Sequence, residues 1–126
     1  MSRVSETILY IEDNLENRLL VKRILQSEGY QVLEAEDAVE GLQMAREHQP
    51  ELIIVDIHLP KMDGYALTTQ LRMEPRTRNL PIIAITADAL GTARERSLAS
   101  GCDGFLQKPI DVDQLPKQIR SFLHNE

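Results

Sequence analysis

The stretch LIIVDIHLPKMDG, residues 52–64, decides the fold class. Its first four residues are all apolar, whereas a strand with one face in solvent alternates between apolar and polar residues. A parallel strand that helices cover on both faces has this uninterrupted pattern. The run ends at Asp56, and Asp63 is a suitable N-cap for a following helix. The stretch therefore predicts a buried parallel strand, a loop and the start of a helix.

Four further short apolar runs flank this stretch, and a segment of helical periodicity follows each run. Together they predict five strands, at residues 8–11, 32–33, 52–55, 82–85 and 105–106. This alternation predicts an α/β fold: a doubly wound five-stranded parallel sheet with five helices. The 126 residues suit one domain, which we expect to span residues 1–126.

Two helices have informative boundaries. Asp37 and Glu40 have the spacing of a capping box at the start of the second helix. Pro116 fits only the first turn of the fifth helix, so we expect that helix to start nearer Asp113 than Asp111.

The fourth helical segment, residues 90–100, offers few apolar side chains to a core. Ala93, Leu98 and Ala99 are nearly all that it contributes. We expect it to be the most weakly packed helix.

The net charge of −6 disfavours binding to nucleic acids and to anionic membranes. Arg72, Arg76 and Arg78 form a local basic stretch without aromatic residues, which indicates a solvated face. Cys102 is the only cysteine, so no internal disulfide is possible and a buried thiol is expected. No apolar run is long enough to span a bilayer, and no targeting segment is visible, so we expect a cytoplasmic protein.

Polar side chains follow the predicted strands. Glu12 and Asp13 follow the first and Asp56 follows the third, so three carboxylates meet if these strands are neighbours. Such oxygen ligands suit Mg²⁺. Thr86 and Lys108 would add a hydroxyl and a cation at the same edge, an arrangement that can neutralise a phosphoryl group on Asp56. The sequence therefore favours a covalent aspartyl phosphate.

Four segments, TILYIEDN (7–14), LIIVDIHLPKMDG (52–64), PIIAITA (81–87) and GCDGFLQKPI (101–110), together resemble the receiver domain of two-component response regulators. The resemblance covers almost the whole chain. It implies the flavodoxin-like strand order 2-1-3-4-5, which periodicity alone does not specify. It also implies a phosphoryl group that comes from a sensor histidine kinase or a histidine phosphotransfer protein.

The resemblance assigns roles around the acceptor. Asp56 would be the phosphoacceptor, Asp13 a direct Mg²⁺ ligand and Glu12 a ligand through water. The main-chain carbonyl of His58 would be a further metal ligand.

It also assigns the residues of a switch. Thr86 and Lys108 would contact the phosphoryl group, and the bond between Lys108 and Pro109 would be cis. Thr86 would move toward the phosphoryl group and let Phe105 turn inward. The surface of the fourth helix, fifth strand and fifth helix would then bind a downstream protein, whose identity stays open. Phe105 has no hydroxyl, so switching would depend on packing alone, or Phe105 would simply fill the core in both states.

His58 and Asp88 are candidates for modulating loss of the phosphoryl group, by shaping the access of water. The alternative is that both are exposed loop residues.

Three other functions stay open at this stage. A degenerate receiver would serve only as a protein-docking module. Against it stands the intact set of Glu12, Asp13, Asp56, Thr86 and Lys108. A haloacid-dehalogenase-like phosphohydrolase would need a second Asp at position 58, where this chain has His. A flavin protein would need a phosphate-binding loop after the first strand, where EDNLEN (12–17) is acidic.

The receiver interpretation predicts a protein that modifies only itself and is not a turnover enzyme. It suits both a stand-alone protein and a part of a hybrid sensor kinase, as a monomer or as a phosphorylation-dependent dimer.

Overall fold

The structure, a computed structural model, describes residues 6–87 and 91–124. Strands and helices alternate along this part of the chain. The strands are β1 (Thr7–Ile11), β2 (Gln31–Ala35), β3 (Leu52–Asp56), β4 (Ile82–Thr86) and β5 (Gly104–Gln107). The helices are α1 (Leu15–Ser27), α2 (Ala38–His48), α3 (Gly64–Met73), α4 (Gly91–Ser100) and α5 (Gln114–His124).

The five strands form one parallel sheet in the order β2-β1-β3-β4-β5, which confirms the predicted α/β fold and its order. α1 and α5 cover one face, where Leu25 and Ile119 are fully buried. α2 and α3 cover the other face with Leu42 and Leu71, and α4 packs beside α3. Because β1 and β3 are neighbours, the residues that follow them lie at the same edge of the sheet.

The strands at the two edges are longer than the apolar runs that predicted them. β2 includes Gln31 and β5 extends to Gln107, and both of these side chains are exposed. An edge strand has one unpaired side, so polar residues fit there. A prediction based on apolar runs therefore omits these polar residues at the strand ends.

The two predicted helix starts are confirmed. The Asp37 side chain accepts a hydrogen bond from the Glu40 amide at 2.8 Å. α5 begins at Gln114, next to Asp113, and Pro116 lies in its first turn.

The expected core contribution of α4 is partly wrong. Ala93 is buried, but Leu98 is 49% exposed and Ala99 is also exposed. The second buried side chain is Ser97, whose hydroxyl donates to the Ala93 carbonyl at 2.8 Å. Since this bond satisfies the hydroxyl inside the helix, a small polar residue can face the core.

The interpretation of the basic stretch as a solvated face is wrong for Arg72. Its guanidinium donates to the carbonyl oxygens of Gly101, Arg78 and Leu80, and it pairs with Asp103 at 2.8 Å. A half-buried guanidinium with five donors can link segments that lie far apart in sequence. Arg72 therefore joins the end of α3 to the loop before β4 and to the loop between α4 and β5.

Cys102 is buried and unpaired, as the sequence predicts. Among the helices in the described ranges, none has the length and apolar character that a bilayer crossing demands.

Candidate functional site

The sequence-predicted chemical groups meet at the carboxyl edge of the sheet. Glu12 and Asp13 follow β1, Asp56 is the last residue of β3, Thr86 is the last residue of β4, and Lys108 follows β5. Glu12, Asp56 and Thr86 are buried, whereas Asp13 is exposed. The site is thus closed below by the sheet and open to solvent beside Asp13.

Lys108 is bound by two carboxylates. Its Nζ lies 2.7 Å from Glu12 Oε1 and 2.9 Å from Asp56 Oδ2. Burial opposes the charged ammonium, but its hydrogen bonds to Glu12 and Asp56 outweigh burial and raise the pKa of Lys108. The Lys108 amide donates to the Thr86 carbonyl at 2.7 Å, and the peptide bond between Lys108 and Pro109 is cis, as the resemblance implies.

Asp56 is held by the loop that follows it. Its Oδ1 accepts a hydrogen bond from the His58 amide at 3.0 Å, which leaves Oδ2 with Lys108. The first residue of α3, Gly64, approaches this turn so closely that a Cβ there would lie 2.6 Å from the Asp56 carbonyl oxygen. Glycine is therefore needed where α3 starts against the end of β3.

Glu12 has two contacts that sequence reasoning missed. The Tyr10 hydroxyl donates to Glu12 Oε1 at 2.9 Å, and the Arg18 guanidinium donates to the Glu12 carbonyl at 2.8 Å. One signal was available for Tyr10, because residues two apart in a strand point to the same face. Burial, followed by the neighbouring Asp56 carboxylate, raises the pKa of Glu12.

The acidic residues fit a divalent cation. Glu12, Asp13 and Asp56 each offer a carboxylate oxygen, and these oxygens all lie within 4.8 Å of one another. Three hard oxygen donors that share one solvent-open edge match the preference of Mg²⁺, which keeps several waters and uses few protein carboxylates. The role of the His58 carbonyl as a further ligand stays a prediction.

Phe105 is the predicted switch aromatic, and His58 and Asp88 are the predicted modulating residues. Phe105 is half-buried and pairs in register with Ala84. It lines a surface cleft of about 340 Å³ together with Leu98 and Phe122. His58 is exposed, and Asp88 lies outside the described residues.

The family model for the response regulator receiver domain matches residues 8–120. The chain belongs to this family. Its fold is thus that of a receiver domain of two-component signalling.

Similar proteins include response regulators and the receiver domain of a sensor histidine kinase. The polar-differentiation response regulator DivK of Brucella anthropi is 35% identical over 118 residues, which cover 94% of this receiver and 96% of DivK. A structure of a response regulator from Chloroflexus aurantiacus has a TM-score of 0.93 at 29% identity, covering 96% of this chain and 99% of that one.

A third similar protein is the receiver domain of sensor histidine kinase PA1611 from Pseudomonas aeruginosa. It is 32% identical with a TM-score of 0.89, and the match covers 96% of this chain and 99% of that one. That structure has a magnesium ion coordinated in its active site cleft.

Proposed function

We propose that this receiver accepts a phosphoryl group on Asp56 from the phosphohistidine of a sensor histidine kinase or a histidine phosphotransfer protein, in a reaction that requires Mg²⁺. One observation carries the proposal: the Lys108 ammonium lies 2.9 Å from Asp56 Oδ2, inside a cluster that holds two further carboxylates. Such a site combines an oxygen nucleophile with positive charge placed for the oxygens of an incoming phosphoryl group.

Glu12, Asp13 and Asp56 would hold the Mg²⁺ ion. When bound, the ion supplies positive charge that neutralises phosphoryl oxygens. Lys108 supplies a second positive charge next to Asp56, through a side chain that is only 16% exposed.

The transfer is a displacement at phosphorus. A carboxylate oxygen of Asp56 forms a bond to phosphorus while the bond between phosphorus and the imidazole nitrogen of the donor breaks, and the imidazole leaves. Lys108 then shifts its hydrogen bond to the phosphoryl oxygens, and the Thr86 hydroxyl binds another of them. Later attack by water releases inorganic phosphate and restores Asp56. The receiver therefore catalyses only its own modification and is not a turnover enzyme.

Phosphorylation would alter the surface of α4, β5 and α5, on which a downstream protein docks. In this step Thr86 moves toward the phosphoryl group and Phe105 turns inward. The half-buried position of Phe105 beside an open cleft supports such a rotation. Phe105 has no hydroxyl to offer a partner, so the two states differ in packing alone.

His58 would modulate loss of the phosphoryl group. Its amide donates to Asp56 Oδ1, and the residue is exposed to solvent. We expect the His58→Ala variant to change the lifetime of the phosphorylated protein, and an unchanged lifetime would contradict this role. The matching role of Asp88 stays a prediction.

Intact mass after incubation with Mg²⁺ and acetyl phosphate tests the proposal. We expect one added phosphoryl group, which is absent without Mg²⁺ and absent in the Asp56→Asn variant. A protein that takes no phosphoryl group from acetyl phosphate or from a phosphorylated histidine domain, and that binds no Mg²⁺, would instead be a protein-docking module only.

A further inference from the structure

Tyr10 is a buried phenol in a strand whose other buried residues are aliphatic. It lies in β1, is fully buried, and packs with residues such as Ile54 and Leu115 on the face that α1 and α5 cover. Phenylalanine would fill the same space without the need to satisfy a hydroxyl. The hydroxyl is satisfied by one side chain, Glu12, whose Oε1 lies 2.9 Å away.

Glu12 Oε1 receives two donors. Lys108 Nζ lies 2.7 Å from the same oxygen, while Oε2 accepts a long bond of 3.3 Å from the Asn14 amide. The two donors differ in what else they bind. Lys108 is shared with Asp56, whereas the Tyr10 hydroxyl is anchored by a ring inside the core.

Tyr10 already holds Glu12 in the unphosphorylated protein, and its hold matters more once Asp56 carries a phosphoryl group. In the proposed mechanism Lys108 then turns toward the phosphoryl oxygens and loosens its hold on Glu12. Tyr10 is the donor that remains on Oε1. An ionised carboxylate can only accept hydrogen bonds, so the Tyr10 hydroxyl is the donor in this contact.

We propose that Tyr10 is a positioning residue, which fixes the Glu12 carboxylate in the orientation that binds Mg²⁺. The inference rests on the proposed function, because it assigns Tyr10 to the same metal site. It extends that function to a side chain that does not itself contact the metal, the phosphoryl group or Asp56.

The test is the Tyr10→Phe variant, which removes one oxygen atom and keeps the ring. Calorimetric titration of the unphosphorylated protein with MgCl₂ gives the Kd for Mg²⁺. We expect the Kd to rise about fivefold to tenfold, the loss typical of one ordinary intramolecular hydrogen bond. The Mg²⁺ concentration for half-maximal phosphorylation by acetyl phosphate should rise by the same factor, while the rate at saturating Mg²⁺ stays close to that of the wild type.

The matched control is Tyr30→Phe. Tyr30 is half-buried on the same face of the sheet. It lies just before β2, at the amino ends of the strands, whereas Glu12 lies at their carboxyl ends. This variant also removes a phenol hydroxyl, and we expect its Mg²⁺ affinity to equal that of the wild type within about twofold.

A double-mutant cycle with Glu12→Asp shows whether Tyr10 acts through Glu12, since the shorter side chain withdraws the carboxylate from the Tyr10 hydroxyl. In the Glu12→Asp background, Tyr10→Phe should change the Kd by less than about twofold.

Four results would overturn the role of Tyr10: an unchanged Kd, an equal loss in Tyr30→Phe, a full loss in the Glu12→Asp background, or a Tyr10→Phe variant that does not fold. A wild-type protein without Mg²⁺-dependent phosphorylation would overturn the proposed function itself, and that failure is visible before any variant is made.

Discussion

Replacing Arg72 with alanine removes a guanidinium that links three segments of the chain. The group donates at 2.9 Å to the Gly101 carbonyl after α4, at 2.9 and 2.6 Å to the Arg78 and Leu80 carbonyls before β4, and at 2.8 Å to Asp103 before β5. Asp103 also accepts the Ile82 amide at 2.9 Å, so the same carboxylate fixes the start of β4.

The expected loss follows from these contacts. Hydrogen bonds to a charged group contribute about 1.5 to 3 kcal/mol each when they are buried. The Arg72 side chain is 21% exposed and that of Asp103 is 45% exposed, so water replaces part of the loss. We therefore expect Arg72→Ala to lower the free energy of unfolding by about 2 to 4 kcal/mol in total.

Urea unfolding followed by circular dichroism measures this change. Arg23→Ala is the matched control, because Arg23 is exposed on α1, and we expect it to alter the free energy of unfolding by less than about 0.5 kcal/mol. Arg72→Lys should recover only part of the loss, since an ammonium cannot reach carbonyls in several directions at once. An Arg72→Ala variant as stable as Arg23→Ala would refute the role of Arg72 as a link between segments.

Three further predictions concern the site and its supports. Asp13→Asn should raise the stability of the Mg²⁺-free protein by roughly 1 kcal/mol, because it removes one of three carboxylates within 4.8 Å of one another; a drop in melting temperature would contradict mutual repulsion. Gly64→Ala should cost about 1 to 3 kcal/mol in urea unfolding, because its Cβ would lie 2.6 Å from the Asp56 carbonyl oxygen; a variant as stable as the wild type would show that α3 can shift. Asp37→Ala should cost about 1 kcal/mol at neutral pH. The bond from the Glu40 amide lowers the pKa of Asp37 below 3.8, so this contribution is present above pH 3.8 and is lost as the pH falls through the folded pKa; a cost that persists in acid would contradict it.

Much of the fold could be predicted from local patterns. Buried strands such as β3 and β4 are apolar throughout, so residues 52–55 and 82–85 were located correctly. The order of the strands required the family resemblance, because periodicity does not specify which strands are neighbours. The prediction that Leu98 in α4 contributes to the core was wrong. Hydrophobicity alone does not show that Ser97 can be buried with its hydroxyl bonded to the Ala93 carbonyl.

The site could likewise be predicted from the sequence only in part. Its acidic residues and Lys108 were predictable because the carboxyl ends of parallel strands share one edge. Arg18 was not, because its partner at the site is the main-chain carbonyl of Glu12, whose position depends on the completed fold. The role of Tyr10 could be predicted in part. Its spacing from Glu12 places both residues on one face, but only the structure shows the 2.9 Å contact.

In the proposed function, Asp56 carries the phosphoryl group. Reduction of the phosphorylated protein with borohydride converts an acyl phosphate to an alcohol, so the modified side chain becomes homoserine and can be located by peptide mass spectrometry. We expect homoserine at position 56 only after phosphorylation in the presence of Mg²⁺. Homoserine at Asp13 or at another carboxylate, with Asp56 intact, would contradict it.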